Sequence, residues 1–233
     1  MPDEFSRTRL LLGDEGLNKL RKSSVAVFGV GGVGSYTAEA LARSGVGRIT
    51  LIDNDVVSVT NINRQLVALQ STVGRKKVEV AKERILDINP EAEVVIHDFF
   101  YTGTEIDLSE FDYIADAIDS VTSKLNLIEN ACKLNIPIIS SMGTGNKLDP
   151  TKIIVTDIYK THTCPLAKIL RYELKKRNVK KLKVVYSTEP PCRHKSESDE
   201  ITEKRKTIGS VSFVPSVAGL VIAGEIIKNL TQL

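Results

Sequence analysis

A glycine cluster wedged between a strand and a helix constrains this chain more than any other feature. The apolar run SVAVFGV at 24–30 enters GVGGVG at 29–34, and helix-like spacing continues through Tyr36, Ala40 and Leu41 to Gly45. A second β-branched run, RITLID at 48–53, follows and ends in Asp53. Gly29, Gly31, Gly32 and Gly34 permit the tight turn and let phosphate oxygens reach backbone N–H groups at the helix N-terminus, where the helix dipole favours anions. Asp53 stands where an acid binds ribose hydroxyls. The pattern predicts a nucleotide site without saying which nucleotide.

The alternation continues along the chain. A helix is expected over 73–88, strands over 94–99 and 113–117, a helix over 121–134 and a strand over 136–141. Short apolar strands alternating with helices predict an α/β fold, a Rossmann-like, mostly parallel sheet with helices on both faces. From 149 the pattern changes to a strand over 153–158, a basic helix over 166–177 and a strand over 182–187, a C-terminal α/β extension. We therefore expect one domain over 1–233, with a nucleotide-binding part at 1–148 and a substrate-side extension at 149–233. Lys, Glu, Ser and Asp crowd the segment 190–208, which reads as a mobile loop. The apolar run 211–227 is interrupted by Ser216, Gly219, Gly224 and Glu225 and reads as a buried, dimer-facing helix, not a membrane span. Charged residues open the chain where a secretory signal would be apolar. The three cysteines form no Cys-x-x-Cys pair. A cytoplasmic setting with no membrane and no structural zinc is expected.

The stretch Thr60-Asn61-Ile62-Asn63-Arg64-Gln65 separates the nucleotide classes. A hydride-transfer enzyme spends Asp53 on the adenosine ribose and has no use for two amides and a guanidinium directly afterwards. Near a triphosphate, Arg64 and Lys77 can neutralise charge building on a phosphorus under attack. DAIDS at 116–120 puts Asp119 at the carboxyl edge of its strand, where ligands of parallel sheets bind and a carboxylate can hold Mg²⁺ on phosphate oxygens. Each of these residues alone reads as ordinary surface ion pairing. Their gathering at one sheet edge favours nucleotidyl transfer.

This constellation resembles the ubiquitin-activating-enzyme-like superfamily, which includes the bacterial activators of molybdopterin and thiamine biosynthesis. The match runs through the Gly29–Gly34 loop, Asp53 with Asp55, the Asn61–Gln65 box, Lys77, and Asp119 with Ser120. Within the superfamily the chain is most similar to the tRNA threonylcarbamoyladenosine dehydratases, through FSR at 5–7, ALARSGVGRITLID, RILDINPEA, DAIDSVTSK, IPIISSMGTGNKLDPTKI and FVPSVAG. Lys124, five residues after Asp119, fits that branch. One departure is Cys164, where that family generally has aspartate; it reads as a tolerated surface change and not a nucleophile.

The resemblance implies ATP-dependent dehydration. The threonyl carboxylate of the modified adenosine in tRNA attacks the α-phosphate of ATP and releases pyrophosphate; the carbamoyl oxygen then closes onto the activated carbonyl and expels AMP, giving the cyclic oxazolone. It assigns adenosine to Gly32 and Asp53, the phosphates to Arg64 and Lys77, and Mg²⁺ to Asp119. It places Asp55, Asn61, Asn63, Gln65, Ser120 and Lys124 around the nucleotide. It also implies a homodimer in which Arg7 crosses to the partner's ATP, and it admits a sulfur-transfer protein partner.

Three rivals remain at the level of sequence: an activator of a small ubiquitin-like sulfur carrier's C-terminus, an NAD-dependent Rossmann oxidoreductase, and a catalytically silent nucleotide-binding module. The net charge of +3 alone declares no nucleic-acid binder. Nine Lys and Arg lie between Lys160 and Lys183 against one acid, Glu173. They read equally well as a phosphate track or a solvated helix face, with no aromatic interleaving. His162 and His194 read as surface residues.

Overall fold

The computed structural model describes residues 3–192 and 208–232. The greater part of the expected loop at 190–208, and His194 with it, lies outside the described residues.

Strand β1 (Ser24–Phe28) is buried along its whole length, as its unbroken apolar run requires of a strand covered on both faces. Its side chains alternate between two cores: Val25 and Val27 enter one, Ala26 and Phe28 the other. The first core is covered by α1 (Ser6–Lys22), α2 (Gly34–Arg43), α3 (Lys77–Ile88) and α6 (Phe213–Thr231). The second is covered by α4 (Val121–Lys133) and α5 (Pro165–Lys176).

The remaining strands are β2 (Arg48–Ile52), β3 (Glu93–His97), β4 (Tyr113–Asp116), β5 (Ile138–Ser141), β6 (Ile153–Asp157) and β7 (Lys183–Ser187). They form one seven-stranded sheet in the order β3-β2-β1-β4-β5-β7-β6. Every pairing is parallel except that of β6 with β7. The α/β expectation therefore holds, and the residues after 148 extend the same sheet by two strands. The chain leaves β1 for β2 on one side and reaches β4 on the other, so a crevice opens between the carboxyl ends of β1 and β4, where ligands of such sheets bind.

One helix start is corrected. The helix expected from 73 begins at Lys77, because the preceding residues run through an isolated bridge between Val56 and Lys76. At the N-terminus, α1 is a full helix kinked at Gly13 (φ 69°), for which the sequence reading made no provision. The 19-residue helix α6 is apolar and long enough by composition to cross a membrane, yet it packs on α2 and α1 and supplies Ala218, Ile222, Ala223 and Ile226 to the first core.

Candidate active site

The carboxyl ends of β1, β2, β4 and β5 open onto one cavity of about 850 Å³. Its glycine turn is built by two kinds of glycine. Gly29 has φ 86°, and a Cβ there would stand 2.7 Å from the Ala117 carbonyl oxygen. A Cβ at Gly34 would stand 1.7 Å from the Gly29 carbonyl oxygen, so helix and turn close only with glycine. Gly31 differs: its nearest neighbour would be Gln65 Nε2 at 3.8 Å, and Gly31 and Gly32 both face the cavity. Gly34→Ala is therefore expected to destabilise the fold by about 3 kcal/mol, read by chemical denaturation. Gly31→Ala should stay within about 0.5 kcal/mol of wild type but weaken ATP binding about tenfold, read by calorimetry. A Gly31→Ala protein that binds ATP normally would remove that glycine from the nucleotide's surroundings.

Asp53 follows β2 and braces this turn. Its Oδ2 accepts the Val30 N–H at 2.6 Å and its Oδ1 accepts the Asp55 N–H at 2.8 Å. Burial pushes the Asp53 carboxyl above the ordinary carboxylate range, opposed by the Lys77 charge and the two N–H donors. Lys77 opens α3, is only 4% exposed, and reaches Asp55 Oδ2 at 2.6 Å.

The Asn–Arg box divides its labour. Asn61 Oδ1 accepts the Ser58 N–H, fixing the turn from which Arg64 projects. Arg64 lines the cavity, bonds only the Thr60 carbonyl and Asn63 Oδ1, and forms no salt bridge among the described residues. Asn63 is off the cavity wall and donates to the Ser210 carbonyl at 2.9 Å, tying the box to the segment before α6. Gln65 lines the cavity while 8% exposed, and its Oε1 accepts no hydrogen bond among the described residues. A buried side-chain oxygen without a partner is uncommon in a folded protein.

Asp119 follows β4, faces the cavity, and forms neither hydrogen bond nor ion pair among the described residues. The charged wall is thus Asp53, Asp55 and Asp119 against Arg64 and Lys77. A triphosphate entering a wall with more carboxylates than cations would be repelled without a further positive charge, and the unengaged Asp119 is the donor suited to a hard divalent cation. The donor set fits Mg²⁺.

Lys124, expected at the nucleotide, lies instead beneath the cavity floor. Its Nζ is sealed from solvent and pairs with Asp116 Oδ2 at 2.8 Å and Ser140 Oγ at 3.1 Å. Burial pulls its pKa down, and the Asp116 carboxylate pulls it back. Asp116 Oδ1 in turn accepts the Ile118 N–H at 3.2 Å, so this pair holds the Ala117–Ser120 turn that carries Asp119. Ser120 is off the cavity wall at the start of α4, where its Oγ accepts the Ser123 hydroxyl.

Arg7 lies in the first turn of α1, exposed and away from this cavity. Arg9 is engaged: it pairs with Asp3 at 2.6 Å and Asp14 at 3.0 Å. Its guanidinium holds the Asp3 carboxyl down at about 2. Cys164 is corrected from a surface position to a buried one, 3% exposed, where it precedes α5 without giving it a side-chain cap. His162 is exposed and meets Tyr186 edge-on.

Residues the sequence reading missed complete the cavity. The segment after β3 contributes Phe99, Phe100 and Tyr101, the segment after β5 contributes Met142 to Gly145, and Leu166, Ile208 and Pro215 close the far side. Met142 to Gly145 and Pro215 fall in the stretches IPIISSMGTGNKLDPTKI and FVPSVAG that carry the resemblance, but that resemblance gives them no task at the nucleotide. Only the sheet order brings them to this edge.

A glycine turn at the topological switch point, with a ribose-type carboxylate and phosphate-type cations on one wall, places the chain among nucleotide-binding Rossmann-like proteins. The comparisons narrow this: the model described as ThiF family matches residues 5–233, and the chain belongs to that family. It is 49% identical over 246 residues to the tRNA threonylcarbamoyladenosine dehydratase of Bacillus subtilis, covering 100% of this chain and 96% of the relative. The crystal structure of the Escherichia coli tRNA N6-threonylcarbamoyladenosine dehydratase with AMP superposes with a TM-score of 0.89 at 39% identity, covering 98% of this chain and 94% of that one. The same enzyme with ATP gives a TM-score of 0.87 at 38% identity, again over 98% and 94%.

Proposed function

We propose that this protein uses ATP to cyclise threonylcarbamoyladenosine in tRNA, with loss of one water from the nucleoside. The observation that carries the reading is the cavity: Asp53, Arg64, Lys77 and Asp119 share one sheet edge in a chain with full-length similarity to such dehydratases. The threonyl carboxylate oxygen bonds the α-phosphorus, the bond to the β-phosphate breaks, and pyrophosphate leaves. The carbamoyl oxygen then bonds the acyl carbon, AMP leaves, and a proton is lost. No cysteine takes part.

Each residue has a task in this scheme. Asp53 accepts hydrogen bonds from the ribose hydroxyls. Gly31 and Gly32 leave room for backbone to approach the phosphates, and Asn61 and Gln65 offer amide groups to the nucleotide. Arg64 and Lys77 meet the phosphate charge, most strongly as it builds in the transition state. Asp119 would hold Mg²⁺, which would supply positive charge against the phosphates. Residues 1–148 serve the nucleotide and 149–233 the nucleoside, in a cytoplasmic enzyme.

The active form is a homodimer. Leu10 and Leu11, each 85% exposed, lie one turn from Arg7 and present an uncovered apolar pair that a second copy would bury. With Arg9 engaged by Asp3 and Asp14, Arg7, which forms no salt bridge among the described residues, is the arginine of this turn that would reach the partner's ATP.

ATP turnover tests the reading. AMP release should require tRNA bearing threonylcarbamoyladenosine, with unmodified tRNA giving a background at least about a hundredfold lower. ATP–pyrophosphate exchange stimulated by a Gly-Gly-ended carrier protein and indifferent to tRNA would replace this reading with the carrier-activator one.

A further inference from the structure

The cavity receives a nucleoside that, on the reading above, belongs to a polynucleotide, so the flanking chain must leave along some surface. Helix α5 begins at the cavity wall, because Leu166 in its first turn lines the cavity. Its inner face buries Ala167, Leu170 and Leu174. Its outer face carries Lys168, Ile169, Tyr172, Lys175 and Lys176, spaced three and four residues apart and all exposed. The basic stretch thus contains the aromatic interleaving that the sequence reading denied it. Tyr172 is 64% exposed, with Lys176 Nζ 4.0 Å from its ring centroid.

The cations divide by partner. Lys176 and Arg177 pair with Glu173. Lys168, Lys175, Lys180 and Lys181 are exposed and form no salt bridge among the described residues. Beyond the helix the stripe ends in a hollow of about 370 Å³ lined by Tyr159, Lys175, Asn178, Val179 and Lys180. Two free ammonium groups over an apolar floor match a phosphate joined to a base. At about 1.5 Å per residue, the path from Leu166 to Lys176 is about 15 Å long.

We propose that the outer face of α5, from Lys168 across Tyr172 to the hollow at Lys175 and Lys180, is the track that holds the tRNA strand flanking the reacting nucleoside. The lysines neutralise phosphates and Tyr172 offers one ring face to a base. The proposal rests on the dehydratase reading for its partner, but binding can be measured without turnover.

The test uses fluorescently labelled tRNA and the protein as described. The triple variant Lys168→Glu/Lys175→Glu/Lys180→Glu should bind it at least about tenfold more weakly at moderate salt. Its dependence of log affinity on log salt should be flatter by about two, at roughly 0.7 per single-strand phosphate contact. Tyr172→Ala should weaken binding about tenfold with the salt slope unchanged, and Lys→Arg at the three lysines should retain wild-type behaviour. ATP affinity should be unchanged throughout. Equal affinity and slope for wild type and the glutamate triple variant would overturn the track and leave this face to an acidic protein segment. Wild-type turnover of modified tRNA, measured separately, reports on the dehydratase reading, so the two failures are distinguishable.

Discussion

Asp119→Ala should lower AMP formation by about 10²–10³-fold, the scale expected when one group stabilising developing charge is removed. ATP affinity should fall far less, because the ribose and glycine-turn contacts remain. The fold should be nearly indifferent: among the described residues the Asp119 carboxylate holds no hydrogen bond or ion pair, so its loss leaves no partner stranded. The measurements are AMP release at saturating ATP and Mg²⁺, ATP affinity by calorimetry, and the thermal midpoint. Wild-type turnover in the variant would remove Asp119 from the phosphate chemistry.

The second large effect is restoration of activity on mixing. Arg7→Ala and Arg64→Ala should each lose most activity alone, as arginines meeting phosphoryl-transfer charge do. Arg64 lies on the cavity wall, whereas Arg7 lies away from it on α1. Heterodimers formed by subunit exchange would contain one site with neither arginine and one with both. Activity should return toward half that of wild type per heterodimer. Exchange verified by native mass spectrometry with no return of activity would exclude action in trans.

The sequence made the nucleotide half of this molecule legible for a physical reason. Backbone conformation and close approach force glycine at Gly29 and Gly34, and a strand buried on both faces must be apolar throughout, so SVAVFGVGGVG announces its own geometry. The Asn–Arg box was legible as chemistry but not as division of labour: Arg64 faces the cavity, while Asn63 braces the segment at Ser210. Lys124 shows the limit most clearly. The family resemblance put it at the nucleotide, but its partner is Asp116, a strand residue whose carboxylate points into the protein between β4 and β5. Nothing local distinguishes a lysine that meets a phosphate from one that meets a buried carboxylate. Breaking that pair from one side would leave an uncompensated buried charge, at a cost of about 3–5 kcal/mol. The walls from Phe99–Tyr101 and Met142–Gly145 converge only through the strand order, so the stretch IPIISSMGTGNKLDPTKI was legible as a resemblance but not as a cavity wall. Tyr172 escaped notice because its neighbours on the helix face are three and four residues away in sequence.

Nucleoside mass analysis addresses the central claim most directly. The protein is incubated with ATP, Mg²⁺ and tRNA carrying threonylcarbamoyladenosine, and the tRNA is digested to nucleosides under mild conditions. The account predicts that the modified nucleoside loses the mass of one water, with one AMP formed per nucleoside converted and no conversion when ATP is omitted. Recovery of threonylcarbamoyladenosine at unchanged mass, from a protein that still binds ATP and the tRNA, would contradict it.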